Sequence, residues 1–253
     1  MSDTSYEIAS NLILPAELGG FRGRWLHSSN SSKRLLLLER KAVNEHAPTL
    51  YLSAGIHGNE PAGVQAIVEH LLQRHFSPHI HWLIFPCLNP TGYTAQTRHN
   101  DQGIDLNRDY LLQRSEEVRL HAQWFREECP CIDLYLSLHE DWEARGCYLY
   151  EINTHPQQQG FATEILAAAA NIIPLDPGPI IDNHLLDAPG LIYHEPEPDE
   201  AEGWPEAIYT CKHRPLLSYT FETPSPFPIE PRILAHRRVI DVCAEKLLAY
   251  SAR

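Results

Sequence analysis

The sequence predicts one α/β domain, a sandwich around a mostly parallel or mixed β-sheet, and three observations carry that expectation. Short apolar runs ending in polar or turn residues recur along the chain, stretches with helical spacing lie between them, and nothing within 1–253 has the composition of a linker. The runs at 34–39, 49–54, 81–86, 132–138, 147–151 and 216–221 have the length and bounded character of strands. Segment 61–75 opens on Pro61, which suits a first helical position, and its Val64, Ile67, Val68, Leu71 and Leu72 recur at helical spacing. Segment 115–128 begins Ser-Glu-Glu, a good helix amino terminus, and 161–171 and 231–249 supply two more helices. Twenty prolines imply many loops. The stretch 194–206 is rich in carboxylates and proline, so it reads as a solvated loop that could act as a lid.

Composition narrows the function. The chain has 33 acidic and 20 basic residues, a formal net charge of −13, and no Lys/Arg run, which argues against nucleic acid as a partner. No window approaches ~18 consecutive apolar residues, and the first twenty residues lack the charged and apolar regions of a signal peptide, so a soluble, cytoplasmic protein with no membrane partner is expected. The six cysteines, at 87, 129, 131, 147, 211 and 243, contain no C-x-x-C pair and read as reduced packing or loop thiols.

In open α/β sheets ligands collect beyond the carboxyl ends of the strands. Polar clusters fall at four such ends here: Gly55-Ile56-His57-Gly58-Asn59-Glu60, Asn89-Pro90, His139-Glu140-Asp141 and Glu222-Thr223-Pro224. His57 and Glu60 lie three apart in a glycine-flanked turn that leads into a helix, and His139 ends the run IDLYLSLH. Two histidines and one glutamate form a catalytic zinc set that leaves a position open for water.

The order H-x-x-E, N-P-x-G (89–92), Arg98, D-x-N-R (105–108), a later strand-end histidine and a late glutamate resembles the zinc carboxypeptidase superfamily. That superfamily includes carboxypeptidase A type enzymes and the succinylglutamate desuccinylase/aspartoacylase group. The matches span 55–224. The resemblance implies a three-layer α/β/α sandwich around a mixed, mostly parallel sheet, and one Zn2+ per chain held by His57, Glu60 and His139. Asp105 then corresponds to the carboxylate that holds His57 by its other ring nitrogen, although a turn cap explains it equally well. Asn107 and Arg108 correspond to the pair that grips a terminal carboxylate of the substrate, a task suited to a planar guanidinium. Arg98 corresponds to the arginine that polarises the scissile carbonyl, and Glu222 to the general base.

The loop after His139 departs from the hydroxyl-rich sequence of digestive carboxypeptidases. Glu140, Asp141 and Glu143 are either a solvated face or, as with Asp141 and Glu143 in a substrate-binding role, groups that select an ammonium-bearing substrate such as a murein-type diamino acid. The resemblance also requires a substrate-facing tyrosine, for which Tyr193 and Tyr209 both stand in range. The expected function is a zinc metallocarboxypeptidase that removes a C-terminal residue from short peptides. The alternative is an N-acyl amino acid amidohydrolase of the desuccinylase/aspartoacylase type. That second group usually carries an extra β-rich portion after the late glutamate, and the 31 residues beyond Glu222 favour the compact peptidase.

Overall fold

A computed structural model describes residues 16–251 except 18, 30–32, 156, 200 and 202. The stretch 1–15, whose composition argues against a signal peptide, lies outside the described residues, as do Glu200 and Glu202 of the acid-rich loop. Among the described residues the chain builds one eight-stranded sheet. Its strands are β1 (Arg22–His27), β2 (Arg34–Arg40), β3 (Thr49–Ala54), β4 (His81–Phe85), β5 (Leu134–Asp141), β6 (Tyr148–Asn153), β9 (Leu191–Tyr193) and β10 (Leu217–Pro224). They lie in the order β1-β2-β4-β3-β5-β10-β6-β9, with β7 (Ile180–Ile181) and β8 (His184–Leu185) forming a separate hairpin. The central pairings β4/β3, β3/β5 and β5/β10 are parallel, as is β6/β9, whereas β1/β2, β2/β4 and β10/β6 are antiparallel. The expected mixed, mostly parallel sheet is therefore observed.

Helices cover both faces, and the strand sequences explain why. Leu36, Leu38, Leu50, Leu52, Leu134 and Leu136 pack with Val64 and Ile67 of α1 (Pro61–Gln73), Ile165 of α4 (Ala162–Ala169) and Val239 of α6 (Ile229–Ser251). The alternate residues Leu35, Leu37, Tyr51, Leu83 and Tyr135 pack with Val118 and Trp124 of α3 (Glu116–Glu127) and Ile208 of α5 (Glu206–His213). A strand buried on both faces is apolar without interruption, which is the pattern the runs show. A short helix, α2 (Pro90–Ala95), follows β4.

The expected strands and helices all form, with ends displaced by a few residues. The run expected to end at residue 138 continues as β5 to Asp141, because β10 lies beside it in parallel and pairs Glu222 with His139 and Pro224 with Asp141. Strands β1 and β9, the β7/β8 hairpin and helices α2 and α5 are not anticipated. β1 is a half-exposed edge with two arginines, and the others are too short to show a period. The loop reading of 194–206 is corrected at its carboxyl end, where Glu206 begins α5 and is buried.

No cysteine is in a disulfide. Burial pushes the Cys87, Cys129, Cys147 and Cys211 thiols up to about 12, as befits packing residues. No helix among the described residues is long and apolar enough to cross a membrane.

Candidate metal centre and active site

Three central strands turn polar on one face as they approach their carboxyl ends. Ser137 and Thr220, adjacent in register on β5 and β10, are joined by a 3.0 Å hydrogen bond. Two residues further along each strand stand His139 and Glu222. All four line a cavity of about 720 Å³ over the sheet, together with His57, Glu60, Arg98, Asn107, Arg108, Asp141 and Glu143. Every expected site residue thus reaches one cavity except Asp105, which stands behind His57.

Glycine geometry makes the turn after β3 possible. Gly55 has φ +63°, in the left-handed region that a side chain disfavours. At Gly58 an added Cβ would lie 1.9 Å from the carbonyl carbon of Gly92, so the turn and the start of α2 meet backbone to backbone. Asn89 fixes the other side of this contact. Its Oδ1 accepts from the Gly92 amide, and its Nδ2 donates to the carbonyls of Ile56 and Arg98.

The two imidazoles face one carboxylate. His57 Nδ1 is 2.6 Å from Glu60 Oε1, and His139 Nδ1 is 3.1 Å from Glu60 Oε2. All three residues are buried, and their ligand atoms lie within 4.8 Å of one another. His57 Nε2 lies 3.2 Å from Asp105 Oδ1, so the ring is held between two carboxylates, Glu60 in front and Asp105 behind. At 2.6 Å the His57–Glu60 contact is a hydrogen bond with a proton between the two atoms, and a metal ion bound here would replace such protons. The donor types, their convergence and the support behind His57 fit zinc. In the protein without metal, protons do this work. Burial lowers the His57 and His139 pKa values, but Glu60, with Asp105 at His57, reverses this and leaves both raised. Burial disfavours the Glu60 carboxylate too, yet His57 and His139 hold its pKa well below the usual range.

Asp105 makes both kinds of contact, to the His57 ring and to a backbone amide of the turn. It accepts from the Asn107 amide and from Arg98 Nε at 2.8 Å in addition to meeting His57. Burial opposes its charge, and His57 and Arg98 outweigh burial to keep the carboxyl strongly acidic. Arg108 hydrogen-bonds the Asn107 carbonyl and has no carboxylate partner among the described residues. Asn107 Oδ1 accepts from the Glu206 amide. Glu222 Oε2 is buried without a hydrogen-bond partner among the described residues. Burial raises the Glu222 pKa well above the usual range; His139 opposes and Glu60 reinforces that rise.

Several side chains differ from expectation. Glu140 belongs neither to a solvated face nor to a set of groups free to bind an ammonium. It is buried, accepts from the Ala62 amide at the start of α1, and pairs with Arg232. Asp141 accepts from the Tyr148 hydroxyl at 3.0 Å, and Glu143 is exposed at the cavity wall. Tyr193 is 57% exposed outside the cavity lining, and Tyr209 is buried against α3, so neither faces the site; Tyr135, Tyr148 and Tyr150 do. Glu206, taken as part of a solvated loop, lines the cavity and accepts from Tyr51 and Ser53 at 2.6 and 3.1 Å. Pro205 before it was the available signal for a helix start.

Residues 46–175, half of the chain, match the succinylglutamate desuccinylase/aspartoacylase catalytic domain. The chain belongs to that family. The matched segment contains His57, Glu60, Arg98, Asp105, Asn107, Arg108 and His139 and ends before Glu222. A stretch of 110 residues is 26% identical to carboxypeptidase SOL1 of Arabidopsis thaliana, covering 35% of this chain and 22% of that protein. The match therefore takes in about a fifth of that relative's length. Among solved structures, a candidate metallopeptidase from Shewanella amazonensis superposes with a TM-score of 0.79 at 22% identity, covering 97% of this chain and 94% of that one. Carboxypeptidase A from Helicoverpa armigera superposes with a TM-score of 0.70 at 15% identity, over 100% and 76% of the two chains. These similarities show that this family member has the carboxypeptidase-like fold.

Proposed function

We propose that the chain is a zinc-dependent metallocarboxypeptidase that removes the C-terminal residue from short peptides. One observation carries this reading: the Arg108 guanidinium, free of any carboxylate partner among the described residues, lines the same cavity as His57, Glu60, His139 and Glu222. A guanidinium with no carboxylate partner among the described residues, beside such a set, suits a substrate that brings its own carboxylate, which it can grip through two parallel hydrogen bonds. The ion held by His57, Glu60 and His139 would act as Lewis acid and lower the pKa of water at its open position. Arg98 lines the cavity with its Nη1 3.9 Å from Glu60, in range to polarise a scissile carbonyl. Glu222, with its raised pKa, is suited to take a proton from the attacking water and return it to the leaving nitrogen.

Asp141, Glu143, Asp182 and Glu206 give the cavity wall a surplus of carboxyl groups and support a residue with an amine in its side chain, such as a murein-type diamino acid. A second reading, an N-acyl amino acid amidohydrolase, is favoured by the family match itself. It uses the same groups, because an N-acyl amino acid also carries a carboxylate next to the bond to be cut.

Purified protein loaded with zinc should be assayed on dipeptides, murein tripeptides and N-acyl amino acids. Peptide turnover that falls by roughly 10²–10⁴ in Glu222→Gln, with zinc content unchanged, is expected. Turnover of acyl amino acids alone would overturn the peptidase reading, and full activity in Glu222→Gln would remove Glu222 from the mechanism.

A further inference from the structure

A second group of metal-ligating side chains stands at the mouth of the cavity, away from the buried centre. His184 opens β8, His194 follows β9, and Asp199 lies in the acid-rich segment; their ligand atoms lie within 4.8 Å of one another. His184 Nε2 is 3.4 Å from Asp199 Oδ2, and His194 Nε2 is 3.3 Å from Asp199 Oδ1. The ring centroids are 5.0 Å apart. Ligands on a tetrahedral zinc at ~2.0–2.1 Å are separated by roughly 3.3 Å, and three ligand atoms already within 4.8 Å of one another need only small side-chain rotations to reach that spacing.

The hydrogen bonding behind the cluster sharpens this. His194 Nδ1 lies 2.6 Å from the Glu195 carbonyl oxygen, which can only accept, so Nδ1 donates there and Nε2 is the ring nitrogen turned to Asp199. The local fold holds the set in place. Asp182 and Asn183, at φ +47° and +65°, form the two-residue turn of the β7/β8 hairpin, which presents His184. Tyr150 sets its ring edge-to-face against both imidazoles, at 5.7 and 6.0 Å, and donates its hydroxyl to Asp182 at 2.9 Å.

We propose that His184, His194 and Asp199 bind a second divalent cation of the zinc class, which fastens the acid-rich segment to the β7/β8 hairpin across the cavity mouth. Ile180, Ile181, Asp182, Pro198 and Asp199 line the cavity from these two segments, so the ion would set the width of the entrance. The three ligands leave a coordination position for water.

The test is metal content of the full chain after zinc loading and removal of loosely held ions. About two ions per chain are expected, with about one left in His57→Ala/His139→Ala and about one left in His184→Ala/His194→Ala. In the His57→Ala/His139→Ala protein, zinc should still raise the melting temperature, and adding Asp199→Asn or His184→Gln should abolish that response. No saturable zinc binding by folded His57→Ala/His139→Ala, or binding that survives loss of both His184 and His194, would overturn the proposal. Because the two histidine pairs are read separately, either site can fail while the other stands.

Discussion

The buried cluster of His57, Glu60 and His139 and the outer cluster of His184, His194 and Asp199 use one donor set, two imidazoles and a carboxylate, in opposite surroundings. The inner carboxylate is 5% exposed and the outer one 66%. Behind the inner histidine stands Asp105, itself held by Arg98 and a backbone amide, whereas behind the outer histidine stands one loop carbonyl. Of the inner ligands His139 lies on a central parallel strand and His57 and Glu60 in the turn that follows another, whereas the outer ones come from a two-residue strand and the segment beyond a three-residue one. The same donor set is therefore buried and backed by charged groups in one place, and exposed and backed by a single carbonyl in the other. A buried set is held by the core on every side, while an exposed set has fewer neighbours to hold it.

The largest expected effect lies just beneath the inner centre. Arg232→Met leaves the buried Glu140 carboxylate without its partner, and loss of one member of such a pair costs about 3–5 kcal/mol. Denaturant unfolding should show this loss, together with weaker zinc retention at the inner site and unchanged retention at the outer one. An unfolding free energy within error of the parent would mean that the core does not prearrange the inner ligands through Glu140.

Asp105→Asn should reduce zinc affinity at the inner centre by roughly 10–100-fold, as measured by competition with a chelator. The outer site should be unaffected, so a parallel loss at both would break the contrast.

Acid should weaken the protein through its core rather than its mouth. Burial lowers the pKa of His121 and His236 from 6.5 to about 3, so between those values the unfolded chain binds protons that the folded chain refuses. Stability should fall as pH drops from 6.5 toward 3, by up to about 1.4 kcal/mol per pH unit for each histidine. His121→Gln should flatten the dependence, which denaturant titrations at several pH values would detect; an unchanged slope would refute the assignment.

The smallest effect is expected at the mouth. Tyr150→Phe removes one hydroxyl contact with Asp182 and should cost about 1 kcal/mol or less, visible as a small shift in melting temperature. A much larger loss would show that the outer cluster is as rigid as the inner one.

The inner region was legible in the sequence because its residues carry two signals at once. His57, Asn89, His139 and Glu222 each close a continuous apolar run, so period and chemistry point to one side of the sheet. Glu140 and Glu206 carry only chemistry, and a carboxylate in an acid-rich stretch reads as solvated until a distant partner, Arg232 or Tyr51, is brought to it by the fold. His184 and His194 lie ten residues apart without a regular period, and they meet only because the chain reverses between them at Ala188–Leu191. Tyr148 and Tyr150 were hidden differently: on β6 both look like packing residues, and only the pairing of β6 with β10 sets Tyr148 beside Glu222.

The contact of Gly58 with Gly92 makes the ligand turn and the segment leading to Arg98 and Arg108 a single mechanical unit. With no side chain as a cushion at position 58, neither loop can be displaced without the other following. A substitution there would act as a wedge, moving the turn that carries His57 and Glu60 away from the segment that leads to Arg98 and Arg108, so the separation of these groups is set by an atom that glycine lacks.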